Sequence, residues 1–179
     1  MTHPDPSAVR AGEPVVRQAR PADVRGIYEL VQPFTETRVL IAKELITYFE
    51  AVQEFVVAEL PEAPGRIAGC GALHVLWDDI AEIRTLAVDQ ALQGRGLGHR
   101  LLVELIDRAR ALGLRRLFCL TFEVDFFTAH GFERIAGTPV GMDVYAEMLR
   151  SHDDGVAEFL DLARAKPNTL GNTRMLLEL

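Results

Sequence analysis

Between Gln93 and Arg100 the chain reads QGRGLGHR, placing Gly94, Gly96 and Gly98 around Arg95 and Leu97, with His99 and Arg100 directly behind. Glycines let a backbone approach a ligand closely and aim successive N–H groups into one concavity. A helix starting behind such a loop adds partial positive charge, and the stripe Leu101, Leu102, Leu105, Ile106, Ala109 and Leu112 predicts that one does. The pattern is a cradle for a pyrophosphate, with Arg95, His99 and Arg100 adding cations. A P-loop is disfavoured, because Lys-Ser or Lys-Thr would have to follow the last glycine. A dinucleotide fingerprint is disfavoured too: the spacing is G-x-G-x-G, and the loop follows an antiparallel meander. Cys119, mid-strand among Leu117, Phe118 and Leu120, has no adjacent base to make it an acyl-carrying thiolate. Cys70 also sits in an apolar run, and both read as reduced, buried thiols. The five His show no metal-ligand spacing, so no metal is expected, and His74 is read as a core or substrate-face residue.

The elements that must position this loop follow from periodicity. A strand is predicted at Val15–Ala19, then a helix opened by Pro21 and Asp23 with Val24, Ile27, Tyr28 and Val31 on one face. A second helix carries Leu45, Ile46, Phe49 and Val52. Three strands follow over residues 55–58, 67–77 and 80–88, and short turns make them an antiparallel meander. After the glycine loop comes the long amphipathic helix closed by Gly113, with Glu104 and Arg108 at the favourable i, i+4 spacing. A buried strand over 117–121, a short helix over 124–130, a strand over 132–136, a tail helix capped near Ser151 or Asp153 and presenting Val156, Phe159, Leu160 and Ala163, and a strand over 173–179 complete the order. This is the α/β (α+β) class, with a mixed, mostly antiparallel sheet flanked by helices.

The 179 residues hold 26 Asp and Glu against 19 Lys and Arg, a net charge of −7, which argues against broad nucleic-acid binding. The longest uncharged stretch, Ile67 to Trp77, falls short of the ~20 residues a membrane helix needs. The polar start MTHPDPSAVRAGEP has no apolar signal core. A cytoplasmic protein is expected, with a flexible leader over 1–13 and a single domain over 14–179.

Gln93-Gly94-Arg95-Gly96-Leu97-Gly98 resembles motif A of the GNAT superfamily of N-acetyltransferases, and FFTAHGF, Phe126 to Phe132, is similar to the short helix and aromatic turn after that superfamily's fifth strand. The order of elements over residues 14–136 agrees. The resemblance implies acetyl-CoA as donor, its pyrophosphate on the amides of residues 94–100 and its pantetheine arm along the fourth strand at Leu86, Ala87 and Val88. A narrower resemblance, carried by AEIRTLAV (81–88) and the tail KPNTLGNTRMLLEL (166–179), is to the amino-acid N-acetyltransferases that make N-acetylglutamate for arginine biosynthesis. It implies a small amino acid as acceptor, glutamate first and glutamine second. Longer members attach an amino-acid-kinase-like domain with an arginine feedback site, for which 179 residues leave no room.

Acetyl transfer to an amine needs a neutral amine, stabilisation of an oxyanion and a proton for the departing thiolate. Glu82 is the candidate base, acting through one water, and strand alternation places it on one face with Arg84, Leu86 and Val88. Arg84 is the leading cation for the substrate carboxylate, or else pairs with Glu82. Lys166, Asn168, Asn172 and Arg174 supply cations and amides for the same ligand, or shape a turn. Arg38 and Lys43, between the first two helices, line the surface that usually meets the acceptor in this superfamily. Backbone N–H near Leu86 is the expected oxyanion donor. The Tyr that many members use as general acid is Phe127 here, leaving Thr121, His130 or Tyr145 as substitutes, or an unaided thiolate. Alternatives are acetylation of a polyamine, an antibiotic or a protein N-terminus, and a non-catalytic CoA sensor. An exposed sheet edge makes a homodimer reasonable.

Overall fold

Residues 14–165 and 171–179 are described by the computed structural model. Along them run β1 (Val15–Gln18), α1 (Val24–Glu36), α2 (Leu45–Glu50), β2 (Phe55–Glu59), β3 (Ile67–Val75), β4 (Ile80–Val88), α3 (Leu97–Ala111), β5 (Arg116–Thr121), α4 (Val124–Thr128), β6 (Glu133–Arg134), α5 (Met142–Met148), α6 (Asp154–Phe159) and β7 (Thr173–Glu178). The strands form one sheet in the order β1-β2-β3-β4-β5-β7-β6. Short turns force antiparallel pairing from β2 to β4, β1 pairs antiparallel with β2 across the connection that carries α1 and α2, and β7 pairs antiparallel with both β5 and β6. The parallel pair is β4 with β5, and α3 makes the crossover between them.

Burial divides the sheet into three apolar clusters. On one face the α3 stripe packs on Val56, Ala68, Ile83, Leu117, Cys119 and Met175. The other face is shared. Val24, Ile27 and Val31 of α1 and Tyr48 of α2 cover Phe55, Val57, Cys70 and Ala72, whereas Met148 of α5 and Val156 and Phe159 of α6 cover Ile80 and Phe118. The central strand β4 lies at the seam between these two helix pairs.

Several elements differ from the periodicity. Helix α5 was not expected, and the strand expected over 132–136 contracts to Glu133–Arg134. Helix α6 stops at Phe159, just before Asp161 turns left-handed (φ 55°), so Ala163 is not on its face. Strand β3 ends at Val75. Arg108 bonds to Gln18 Oε1 (2.9 Å) and to the carbonyls of Gln53 and Glu54, tying α3 to the connection before β2 in place of the expected pairing with Glu104. Leu112 is exposed beyond the end of α3. Cys70 and Cys119 are buried free thiols, as expected.

Candidate functional site

Strands β4 and β5 pair only from Ile80 with Arg116 to Glu82 with Phe118. Past that point β4 runs on to Val88 and β5 to Thr121, and their divergence opens a cleft of about 490 Å³. Its walls include Leu86, Ala87, Val88, Gln93, Gly94, Gly96, Leu97, Gly98 and His99, with Thr121, Phe126 and Phe127 opposite. Gly94 and Gly96 adopt φ of 78° and 79°, and a Cβ on either would point into open space. Gly96 is also the residue from which α3 starts, so the loop presents its amides at a helix N-terminus. His99 Nδ1 donates to His130 Nε2 (2.7 Å), because His130 Nδ1 donates to the Phe126 carbonyl (2.7 Å). Two cations expected at the loop are placed differently. Arg95 is exposed outside the cleft wall, and Arg100 donates to the Pro14 carbonyl (2.8 Å), tying α3 to the start of β1.

A β-bulge overturns one expectation about faces. Arg84 pairs with Ala72 and Ala87 with Cys70, so one residue on β3 opposes two on β4. Thr85, at φ 52°, takes up the extra residue. Beyond it the alternation changes phase: Leu86 and Val88 pack towards α3, while Glu82 and Arg84 stay on the opposite face. The bulge thereby aims Leu86 and Val88 and the carboxylate–guanidinium pair at different cavities.

The second cavity, about 90 Å³, lies at the seam over β4. Arg38 and Lys43 reach it from the segment between α1 and α2, Glu82 and Arg84 from β4, Gly155 and Glu158 from α6, and Asn172 from the start of β7. Val39, Leu40, Ile83, Thr85 and Leu120 line both this cavity and the cleft, so the two are continuous. Of the two readings of Arg84, the structure has the ion pair: Nε donates to Glu82 Oε2 (2.6 Å) and the terminal nitrogens to both oxygens of Asp153 (2.7 and 3.2 Å). The guanidinium is fitted closely, since a Cβ on Gly155 would fall on it. Desolvation opposes ionisation of Asp153, but the Arg84 hydrogen bond and charge and the Val156 N–H hold its pKa down to about 2. Arg174 is placed outside the cavity wall. Its guanidinium lies 4.8 Å from the Phe118 ring centre and donates to the carbonyls of Gly137, Glu158 and Phe159, holding the end of α6. Lys166 and Asn168 lie outside the described residues. Of the two readings of His74, core or substrate face, the side chain is not in the core: it pairs opposite Glu82 on the same sheet face and donates to Glu54 (2.8 Å) beside a small recess that shares Lys43, Arg84 and Thr85 with the second cavity.

Glu158 was not among the candidates. It is 7% exposed, and its Oε1 is buried with no hydrogen-bond partner among the described residues. Burial, then the charge of Glu82, push its pKa up to about 7. The available signal was a lone acidic residue inside the otherwise apolar run Gly155-Val156-Ala157-Glu158-Phe159-Leu160.

Comparison with known proteins bears on both cavities. Residues 24–137 match the model of the acetyltransferase (GNAT) family. The chain belongs to that family. An amino-acid acetyltransferase of Mycobacterium tuberculosis is 57% identical over 166 residues, covering 93% of this chain and 95% of that one. An amino-acid acetyltransferase of Neisseria meningitidis is 34% identical over 120 residues, 66% of this chain but only 27% of the longer relative. Among solved structures, Rv2747 from M. tuberculosis in complex with CoA and NLQ superposes with a TM-score of 0.90 at 57% identity, over 93% of this chain and 99% of that one. N-acetylglutamate synthase from Neisseria gonorrhoeae, complexed with coenzyme A and N-acetyl-glutamate, gives 0.73 at 25% identity, over 93% of this chain and 35% of that one. This acetyltransferase is an enzyme with the GNAT fold, and its chemistry is N-acetyl transfer from acetyl-CoA. Of the positions considered for the general acid, Thr121 borders the cleft; its Oγ1 accepts from the Glu123 N–H (2.9 Å), leaving the hydroxyl hydrogen free to donate. Tyr145 OH donates to the Leu160 carbonyl, and Phe127 packs edge-on against Phe126 and Phe132. No described group of His, Cys, Asp and Glu is arranged to hold a metal, and no described helix is long and apolar enough to cross a membrane.

Proposed function

We propose that this acetyltransferase acetylates the α-amino group of a small acidic amino acid or its amide, L-glutamate first and L-glutamine second, as the first step of arginine biosynthesis, by direct transfer in a ternary complex. The observation that carries the reading is the continuity of the two cavities through Thr85 and its neighbours, with Arg38, Lys43, Glu82, Arg84 and Glu158 gathered on the acceptor side. The relatives named amino-acid acetyltransferase and the neighbour complexed with N-acetyl-glutamate support it.

In this reading the amides of residues 94–100 hold the donor's pyrophosphate, with Gln93 and His99 beside them and Arg95 and Arg100 adding positive charge from outside the cleft wall, and the backbone of Leu86, Ala87 and Val88 binds its pantetheine arm. The Leu86 N–H faces the developing oxyanion. Arg38, Lys43 and Asn172 receive the acceptor's carboxylate, with Lys166 and Asn168 as further ligands from the adjoining tail. Arg84, already bonded to two carboxylates, orients Glu82 and α6 and makes its substrate contact as part of that network, and Arg174 acts by holding α6. Glu82 takes the ammonium proton through one water. Thr121 donates a hydrogen bond to the leaving sulfur. A cytoplasmic homodimer completes the proposal, with sedimentation of the pure protein as its check.

A thiol-release assay with acetyl-CoA and glutamate, glutamine, spermidine and an aminoglycoside tests the central claim. Release with glutamate or glutamine is expected; release only with spermidine would overturn the amino-acid assignment. No turnover with any amine, despite tight CoA binding, would favour a sensor.

A further inference from the structure

We propose that Glu158 is a catalytic residue of the acceptor site: it receives the acceptor ammonium by hydrogen bond and is where the first proton lost from that ammonium comes to rest. This rests on the acceptor reading of the cavity given above.

The geometry singles out one oxygen. Buried carboxyl oxygens without a partner are rare in folded proteins, because the desolvation penalty is uncompensated. Glu158 Oε1 is such an atom, and its side chain borders the acceptor cavity. Glu82 borders it as well, but its Oε2 is committed to Arg84 at 2.6 Å. A bound ammonium gives that oxygen the partner it otherwise lacks. The backbone is fixed for the purpose. Arg174 and Thr138 donate to the carbonyls at the end of α6, so the carboxyl is held by a stapled helix end. Gly155, one turn earlier, lets α6 sit directly on Arg84.

The charges facing Glu158 are Glu82 and Arg84 of β4, Lys43 before α2 and Asp154 of its own helix, with Arg38 bordering the same cavity. Burial and Glu82 prevail over Arg84 and Lys43, so the carboxyl gains its proton near neutrality. The charge of Glu82 thus makes Glu158 the stronger proton acceptor. The balance is complete without further reactants. The ammonium loses one proton through the water beside Glu82, and that proton comes to rest on Glu158; the amine nitrogen forms the C–N bond; the C–S bond breaks with its electron pair on sulfur. The second nitrogen proton ends on that thiolate, and Glu158 returns its own to solvent after product leaves.

The test is the pH profile of kcat/KM for the acceptor that wild type turns over best, so that an error in acceptor identity stays separate from an error about Glu158. Wild type is expected to show an ascending limb with a midpoint near 7. Glu158→Gln should lose that limb and lower kcat by about 100-fold or more, with acetyl-CoA affinity unchanged by calorimetry. Glu82→Gln should move the limb to lower pH. Carbon-13 titration of carboxyl-labelled protein, read before any turnover, should show one glutamate titrating near 7 that disappears in Glu158→Gln. A wild-type limb and rate in Glu158→Gln, or a near-7 resonance that survives the substitution, would overturn the proposal.

Discussion

Arg84 shows how a side chain can be correctly located from sequence and still do something else. Alternation along β4 puts it beside Glu82, and its type suits a carboxylate, but the carboxylates it meets are the protein's own. Removing one partner of a buried ion pair leaves an uncompensated charge. Arg84→Ala should therefore lower unfolding free energy by about 3–5 kcal/mol, read from urea denaturation, and raise acceptor KM. Glu158 has the opposite sign of effect. Its folded pKa, about 7, lies above the ordinary 4.5, so the folded state binds the proton more tightly. That contribution to stability is complete below about 4.5 and is lost as pH rises through about 7. Urea midpoints at pH 5 and pH 8 should differ less for Glu158→Gln than for wild type. The Arg84–Glu82 pair was one of the two readings that strand alternation allows; the bond to Asp153 and the loss of solvent at Glu158 were not legible, since both arise only through tertiary packing.

At the scale of elements, the part of the fold around the cleft was largely readable. The glycine loop, the α3 stripe and the meander are local patterns, and each has its place in the fold. What periodicity missed is short or irregular: α5 has seven residues, β6 two, and the bulge at Thr85 needs a positive φ that nothing in a β-branched residue advertises. The glycines of the loop are separable by experiment. Gly96→Ala forces a side chain into left-handed backbone at a cost of about 1–2 kcal/mol and should raise acetyl-CoA KM. Gly98→Ala meets only ordinary contact with the Phe126 ring at 3.6 Å and should leave the melting temperature nearly unchanged. In α6, Gly155→Ala places a methyl group on the Arg84 guanidinium. Overpacking of this kind costs about 1–3 kcal/mol, and a raised acceptor KM with unaltered CoA binding should accompany it.

Across the whole molecule, arginines bridge carboxylates from separate segments. Arg17 joins Asp23 to Glu59, Arg66 holds Asp89, and Arg84 joins Glu82 to Asp153. Hydrogen bonds from Arg17 lower Asp23, the Gly65 N–H and Arg17 lower Glu59, and the Ala91 N–H and Arg66 lower Asp89, while Asp153 stands near 2. Depressed carboxyls stabilise the fold above their ordinary values and cease to do so as pH falls. Stability should drop between about pH 4 and pH 2, and high salt should blunt the exposed pairs before the buried one.

The seam over β4 carries a consequence for how such an enzyme changes. The cleft is built mainly from one unbroken stretch, residues 83–127, whereas the second cavity is closed from two remote flanks, the segment after α1 and the helix α6. On the proposed assignment, what the enzyme acetylates with is written in a single paragraph of the chain. What it acetylates is then written in the margins on either side, where substitutions would redraw the acceptor without rewriting the donor.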